Sequence, residues 1–318
     1  MLLRRGAMQP APSAAVAASQ LAFPALILSN LFLAFGPWLV RLSDVGPVAA
    51  GFWRLALAIP LLLLFVRVSG PQLKLGRGMV LAIVVGGLFF AADLAAWHYG
   101  IVRTKLANAT LFGNTASFLF PIYGFIVARA LPGRVQGIAI LLALVGAALL
   151  LGSSYELSAR NFEGDLWAML AGIFYAAYLI SIDRARKTLA PMPVLALSTA
   201  AGAAPLLLFA LLLGEQVMPE RWTPLILLSL GSQVIGQGLL VYAVGHLSPL
   251  VVGIGLLTQP AVSALIGWLA YDERLGTADF AGAALICLAL VLIRLRAPLA
   301  TEGDGAHLGP RGRADQPR

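Results

Sequence analysis

The chain has 318 residues, of which 60% are hydrophobic and only 11% charged. Soluble domains carry about 25% charged residues, so this chain cannot cover its apolar side chains in water, and a bilayer is the alternative solvent. The formal net charge of +8 does not indicate nucleic acid as a partner, because Lys and Arg are scattered between apolar runs rather than gathered on one face. A single cysteine, Cys287, excludes an internal disulfide and a multi-cysteine metal site.

Residues 1–20 hold Arg4 and Arg5 and then a mild stretch of small residues, with the long apolar run only afterwards. A signal peptide has the reverse order, so this segment reads as a cytoplasmic tail. Apolar runs near the ~20 residues of a spanning helix then follow at 21–40, 47–67, 78–101, 105–128, 135–153, 164–182, 190–213, 223–246, 249–271 and 277–294. The tail 297–318 is rich in Gly, Pro, Arg and Asp, lacks apolar periodicity, and reads as disordered. The fold class expected is an all-α integral membrane protein with ten transmembrane helices.

Ten spans place both termini on one side. With the termini inside, the inner loops and tails carry fifteen Lys and Arg and the outer loops six, Arg54 lying within a span. That asymmetry orients the chain with cytoplasmic termini. The five-span halves, 21–153 and 154–296, have matching patterns, and an odd number of spans per half inverts the second against the first. A shift of 144 residues (237 minus 93) pairs Asp93 with Gln237 and Asn114 with Thr258.

Polar residues inside these runs carry the functional information. An Asp at mid-bilayer costs about 2.5–3.5 kcal/mol on insertion scales, so Asp93 is expected to face protein or water and to have a partner. Arg54 on the preceding span is the candidate. At ~1.5 Å per residue, Arg54 and Asp93 lie ~5 Å and ~6 Å outside the centres of their spans. A structural ion pair, a role for one member in charge recognition or proton coupling, and no contact between the two are the open alternatives. His98 is five residues from Asp93, on another helix face, and close to a span end, which suits a hydrogen-bonded bystander. Trp97 shares the Asp93 face.

In the fourth run, Ala107, Thr110, Asn114, Ser117 and Pro121 form a small, polar stripe suited to a cavity wall or to close helix packing. Asn30 lies mid-way along the first run, Gln233 and Gln237 share a face of the eighth, and Thr258, Gln259 and Pro260 stand in the ninth. Trp167, Ala171, Phe174 and Tyr178 form an aromatic face of the sixth, with Tyr175 beside it. Such a face packs against neighbours or lines a cavity. The expected cavity residues are therefore Asn30, Trp97, Asn114, Tyr178, Gln237 and Gln259.

An intramembrane enzyme is the rival class. The three histidines have no metal-ligand spacing, and HExxH, a nucleophile elbow and a P-loop are missing. No cofactor or metal is expected. A receptor or scaffold would bring a folded soluble module, and no loop is long enough for one. The partners expected are a small-molecule substrate, the lipid bilayer, and protons as a candidate coupling ion.

FAADLAAWHYGIVRTKLANATLFGN resembles the third and fourth spans of the EamA family, within the drug/metabolite transporter superfamily. GSQVIGQGLLVYAVGHLSPLVVGIGLLTQPAVSALIGWLAYDERLGTADFAGAALI is similar to the second half of that family, with a Gln in the eighth span, Pro260, Glu273 and Gly282. The resemblance implies two inverted five-helix repeats and a central cavity lined largely by spans 1, 3, 4, 6, 8 and 9. It also implies secondary transport of a small metabolite, often export, across the inner membrane. The first half departs from the pattern. Arg129 occupies the slot of Glu273 and Ala116 that of Pro260, so a mechanism with two equivalent Glu residues is not implied.

Overall fold

The computed structural model describes residues 14–68, 76–104, 106–152, 159–271 and 276–296, and among these every regular element is helical. Residues 1–13, Glu273 and the tail from 297 lie outside the described residues. Seven helical segments are long and apolar enough to cross a membrane: Gln20–Leu42, Pro47–Val68, Arg77–Ile101, Phe162–Arg186, Pro191–Leu212, Thr223–Val244 and Pro249–Ala270. Three shorter apolar helices, Ala116–Ala128, Arg134–Gly146 and Phe280–Ala289, accompany them.

Several of these segments are divided. The first is α1 (Ala14–Ala34) followed by α2 (Gly36–Leu42), and the second is α3 (Pro47–Ala56) followed by α4 (Ala58–Val68). Then come α5 (Arg77–Ile101), α6 (Leu106–Gly113), α7 (Ala116–Ala128), α8 (Arg134–Gly152), α9 (Ala159–Arg186) and α10 (Pro191–Leu212). After α11 (Thr223–Leu227) the chain runs as a π-helix over Leu228–Gly236 before α12 (Gln237–Val244). The order closes with α13 (Pro249–Leu256), α14 (Thr258–Tyr271) and α15 (Thr277–Arg296).

The starts follow local chemistry. Pro47, Pro191 and Pro249 open α3, α10 and α13, at a position whose N–H would be unbonded in any case. Ser248 caps α13 by accepting from the Val251 N–H. Gly214, with φ of 67°, ends α10 in the left-handed region that glycine enters without steric cost. The run expected over 105–128 is not one helix. Asn114 and Thr115 form a turn between α6 and α7, and Leu257 forms another between α13 and α14. The Asn114 and Thr115 side chains bond back to Thr110 O and Phe112 O. Local side-chain bonds of this kind compete with the helical ladder.

Close packing depends on small residues. α5 runs against both α9 and α10, α7 against α13, and α8 against α15. A Cβ on Gly87 would stand 2.5 Å from Ser198 O, and one on Gly100 2.9 Å from Gly164 O. Hydrocarbon gives helices no hydrophobic drive to associate, so contact of this closeness is what holds them.

One end of the bundle is tied across the two halves by the segment after α10. Gly46 N–H donates to Gln216 O at 2.9 Å and the Trp53 indole N–H to Val217 O at 2.7 Å. The Glu215 carboxylate accepts from Val48 and Ala49 N–H at 3.3 and 2.8 Å, meeting the unpaired donors and positive dipole end of α3. Asp44 accepts from the backbone N–H groups of Glu220 and Arg221, both at 2.9 Å. Desolvation would raise its pKa, but the N–H donors and the Arg221 charge outweigh it and hold the carboxyl below its usual value.

Candidate functional site: a central polar cavity

A narrow cavity lies where α1, α3, α5, α6, α9, α12 and α14 converge. Its wall is formed by Leu33, Arg54, Phe90, Asp93, Leu94, Trp97, Thr110, Gly113, Asn114, Tyr175, Gln237 and Gln259. The space open to water centres is about 40 Å³, and one water needs roughly 10–15 Å³ on this measure. A few waters fit, and a metabolite enters only if helices move apart.

Helix periodicity brings the α5 contribution together. Phe90, Asp93, Leu94 and Trp97 follow one another at i, i+3, i+4 and i+7, the spacing of one helix face. Trp97 fits because position 113 is glycine: a Cβ there would meet the indole nitrogen at 2.8 Å. Asn114 lines the wall from the turn between α6 and α7, where its amide nitrogen donates to Thr110 O at 2.6 Å.

Asn30 and Gln259 form one unit across the halves. The Asn30 amide donates to Gly255 O at 2.8 Å, and its oxygen accepts from the Gln259 amide at 2.9 Å. Gly255 O stands at the end of α13, where the Thr258 hydroxyl also donates to it at 2.8 Å, so Asn30 adds a contact from α1 to the break before α14. Asn30 is fully buried and stands behind the cavity wall, while Gln259 lines it. Asn30→Ala is expected to leave the Gln259 amide without this partner, while Gly255 O keeps the Thr258 hydroxyl, and to cost about 1–3 kcal/mol, read as a lowered thermal midpoint in detergent. A midpoint equal to wild type would show that the pair contributes nothing to stability.

The direct Arg54–Asp93 ion pair expected from matching depth is not formed. Ion pairs elsewhere in the structure include Arg103–Glu163 at 3.7 Å and Lys187–Asp183 at 3.4 Å. Instead, the Arg54 Nε–H donates to Gln233 Oε1 at 3.1 Å, and the Gln233 amide donates on to Thr199 Oγ1 at 2.9 Å. Arg54 also stands 5.7 Å from the Phe90 ring centroid, within cation–π range. Gln233 reaches inward from the π-helical stretch, where the extra residue per turn resets side-chain direction. The bond to Gln233 uses Nε and neither Nη group. Asp93 is 8% exposed and has no hydrogen bond from a described residue. The two charges therefore share a cavity wall without contact.

Tyr178 does not line the cavity. It is fully buried, stacked on Phe90 at 4.6 Å and on Tyr175 at 5.8 Å. Tyr175 takes the place at the wall, where its hydroxyl donates to Gln237 Oε1 at 3.3 Å. Three residues along a helix are about 300° of rotation, and a face assigned without knowing its neighbours can be off by that step. His98 is fully buried, with Nδ1 2.8 Å from Pro47 O, and is not on the wall. Tyr175, Phe90, Leu33, Leu94 and Gly113 were not among the expected cavity residues. The Asp93 face, read at i−3 and i+1, was the signal available for Phe90 and Leu94.

Known proteins bear on this arrangement. Residues 20–152 and 162–295 each match the EamA-like transporter family. An uncharacterized transporter of Archaeoglobus fulgidus is 24% identical over 249 residues, which cover 74% of this chain and 83% of that protein. A crystal structure at 19% identity superposes with a TM-score of 0.70, covering 88% of this chain and 99% of the other. That last likeness concerns the fold alone.

Proposed function

Because the chain belongs to the EamA-like transporter family, matched once in each half, and is thus a multi-pass membrane transporter, we propose a specific mode of action. It is a secondary transporter that moves a small metabolite by alternating access around the central cavity. The observation that carries this reading is the cavity itself, enclosed by helices of both halves and holding one cation and one anion that do not touch each other.

In this reading the chain forms ten spans in two inverted five-helix repeats. The turn at Asn114–Thr115 and the turn at Leu257 interrupt corresponding helices of the two halves, beside Asn114 and Gln259 on the wall. Paired discontinuous helices near the midplane are where transporters of this plan bind solute. The halves bear on each other through α7 and α13, and through α1 and α12, surfaces on which one can rock against the other. A cavity of about 40 Å³ then corresponds to a closed stage of the cycle.

Arg54 and Asp93 are the residues for charge recognition or proton coupling, and Trp97, Asn114, Tyr175, Gln237 and Gln259 shape the site. Guanidinium Nη groups suit an anionic group of the solute, and the Asp93 carboxylate a cationic group or a proton. The excess of Lys and Arg on the inner side supports cytoplasmic termini in an inner membrane. Export is the direction proposed.

The test is flux. Purified protein in liposomes loaded with a cell metabolite extract should release particular solutes faster than empty liposomes, followed by mass spectrometry. The extract is chosen from solutes whose levels differ between cells with and without the protein. Chemical conversion of a solute with no flux would replace this reading with an enzyme.

A further inference from the structure

A second cavity lies on the outside of the bundle, back to back with the first across α5 and α9. Leu88, Ala92 and Ala95 of α5, Trp167 and Phe174 of α9, and Phe209 of α10 are among its walls. It offers about 370 Å³ to water centres, far more than the central cavity. Leu88 is 46% and Phe209 42% exposed, so the groove opens on the outer surface of the bundle.

The packing explains why it opens here. α5 and α10 touch at Gly87, where a Cβ would meet Ser198 O at 2.5 Å. Further along, Pro205 stands in the groove wall and interrupts the α10 hydrogen-bond ladder. The α5 side is reduced to Ala91, Ala92, Ala95 and Ala96. Neither Pro205 nor the alanines fill the space between α9 and α10.

Depth and lining bear on what occupies it. The middle of α5 is near residue 89, so Ala96 is ~10 Å beyond the midpoint. That is inside the ~15 Å half-thickness of the hydrocarbon. The walls present apolar atoms and the indole of Trp167. From Leu88 to Ala96 the groove is ~12 Å long. A groove of this length, lined by apolar atoms at hydrocarbon depth, accommodates a stretch of acyl chain.

The polar end of such a ligand also has a place. Trp167 packs edge-on to Tyr99 at 5.4 Å, and the Arg103 guanidinium lies 3.3 Å from the Tyr99 ring centroid; its Nε faces Glu163 at 3.7 Å and one Nη donates to Tyr99 O at 3.0 Å, which leaves the other Nη for a ligand. α5 ends at Ile101, ~8 Å beyond Ala96 at helical rise, and Arg103 follows in the turn after it, at headgroup depth. Trp and Tyr with an adjacent Arg are the residues that anchor at that level. We propose that the α5–α9–α10 groove is a phospholipid site that holds one acyl chain between Ala92 and Phe174, with the phosphate at the level of Arg103. The chain buttresses Phe174, next to Tyr175 on the central wall, so the lipid supports the face of α9 that shapes the cavity.

The site rests on the membrane-spanning helices and not on transport, so its test needs no substrate. The full chain is reconstituted in phosphatidylcholine vesicles containing a trace of phosphatidylcholine with a diazirine in one acyl chain. After illumination, labelled peptides are mapped by mass spectrometry. Labelling is expected to be several-fold higher at Ala92, Phe174 and Phe209 than at Ile138 and Leu141, which are exposed on α8. Ala92→Phe should abolish that excess. Equal labelling of the groove and of α8 would overturn the proposal, as would an excess that Ala92→Phe leaves unchanged. Cross-links between two copies of the chain at the groove would also overturn it, by assigning the groove to a protein partner.

Discussion

Asp93→Asn is expected to lower solute flux by about 10–100-fold while the protein still inserts and folds. The substitution keeps size and removes only charge. Asp93 lines the central cavity and has no hydrogen bond from a described residue, and in the proposed mechanism its charge serves solute or a proton. Hydrogen bonds to charged groups contribute about 1.5–3 kcal/mol, and every 1.4 kcal/mol is about tenfold. If Asp93 couples protons, the pH dependence of the residual flux should also flatten. Flux and pH profile equal to wild type would remove Asp93 from the mechanism. Insertion is scored separately, by monodisperse elution in detergent, so that a folding failure is not mistaken for a transport defect.

Gly253→Val should give the largest loss of stability among single changes at the junction of the halves. A Cβ at position 253 of α13 would lie 2.5 Å from Pro121 Cγ and 2.6 Å from Ser117 O of α7. Neither atom belongs to a flexible side-chain end. A proline ring and a backbone carbonyl move only with their helix, so α13 has to retreat from α7. Overpacking of this kind costs about 1–3 kcal/mol, and the lost contact on the rest of the α7–α13 seam adds to it. Thermal midpoints in detergent read the effect. Gly78→Ala is the control, since a Cβ there meets nothing within 4 Å and alanine favours the helix. A Gly253→Val midpoint matching the Gly78→Ala midpoint would show that α7 and α13 are not in close contact.

The same two helices show how far the residue pattern can be read. The stripe Thr110, Asn114, Ser117 and Pro121 was expected to serve either a cavity wall or close packing. The folded chain uses it for both. Thr110 and Asn114 face the cavity, whereas Ser117 and Pro121 receive Gly253 of the other half. The turn at Asn114 divides the two uses, because it restarts the helix and so resets which side each residue presents. Periodicity counted through an unbroken helix cannot anticipate that division.

Arg54 gives a second case. Depth along the span is readable from rise per residue, and it puts Arg54 level with Asp93. Azimuth is not readable in this way. The guanidinium turns to Gln233, whose own direction comes from the π-helical stretch Leu228–Gly236. Nothing in the run LSLGSQVIG distinguishes it from an ordinary helix by composition.

The solvent, the helical class and the positions of the apolar runs were determined by the residues alone, because each is a local or additive property. Too few charges exclude water as the surrounding medium, and a run of apolar residues spans hydrocarbon whatever its neighbours are. The polar residues to be explained were also legible, since each carries a cost in hydrocarbon that some partner has to offset. Only the tertiary structure decided which partner does so. Tyr175 rather than Tyr178 reaches the cavity, Arg54 bonds Gln233 rather than Asp93, and Trp167 and Phe174 line the outer groove rather than the central wall. These outcomes turn on the rotation of one packed helix against another. Glycine contacts, interrupted helices and a π-helical stretch set that rotation, and it has no local signal in the chain.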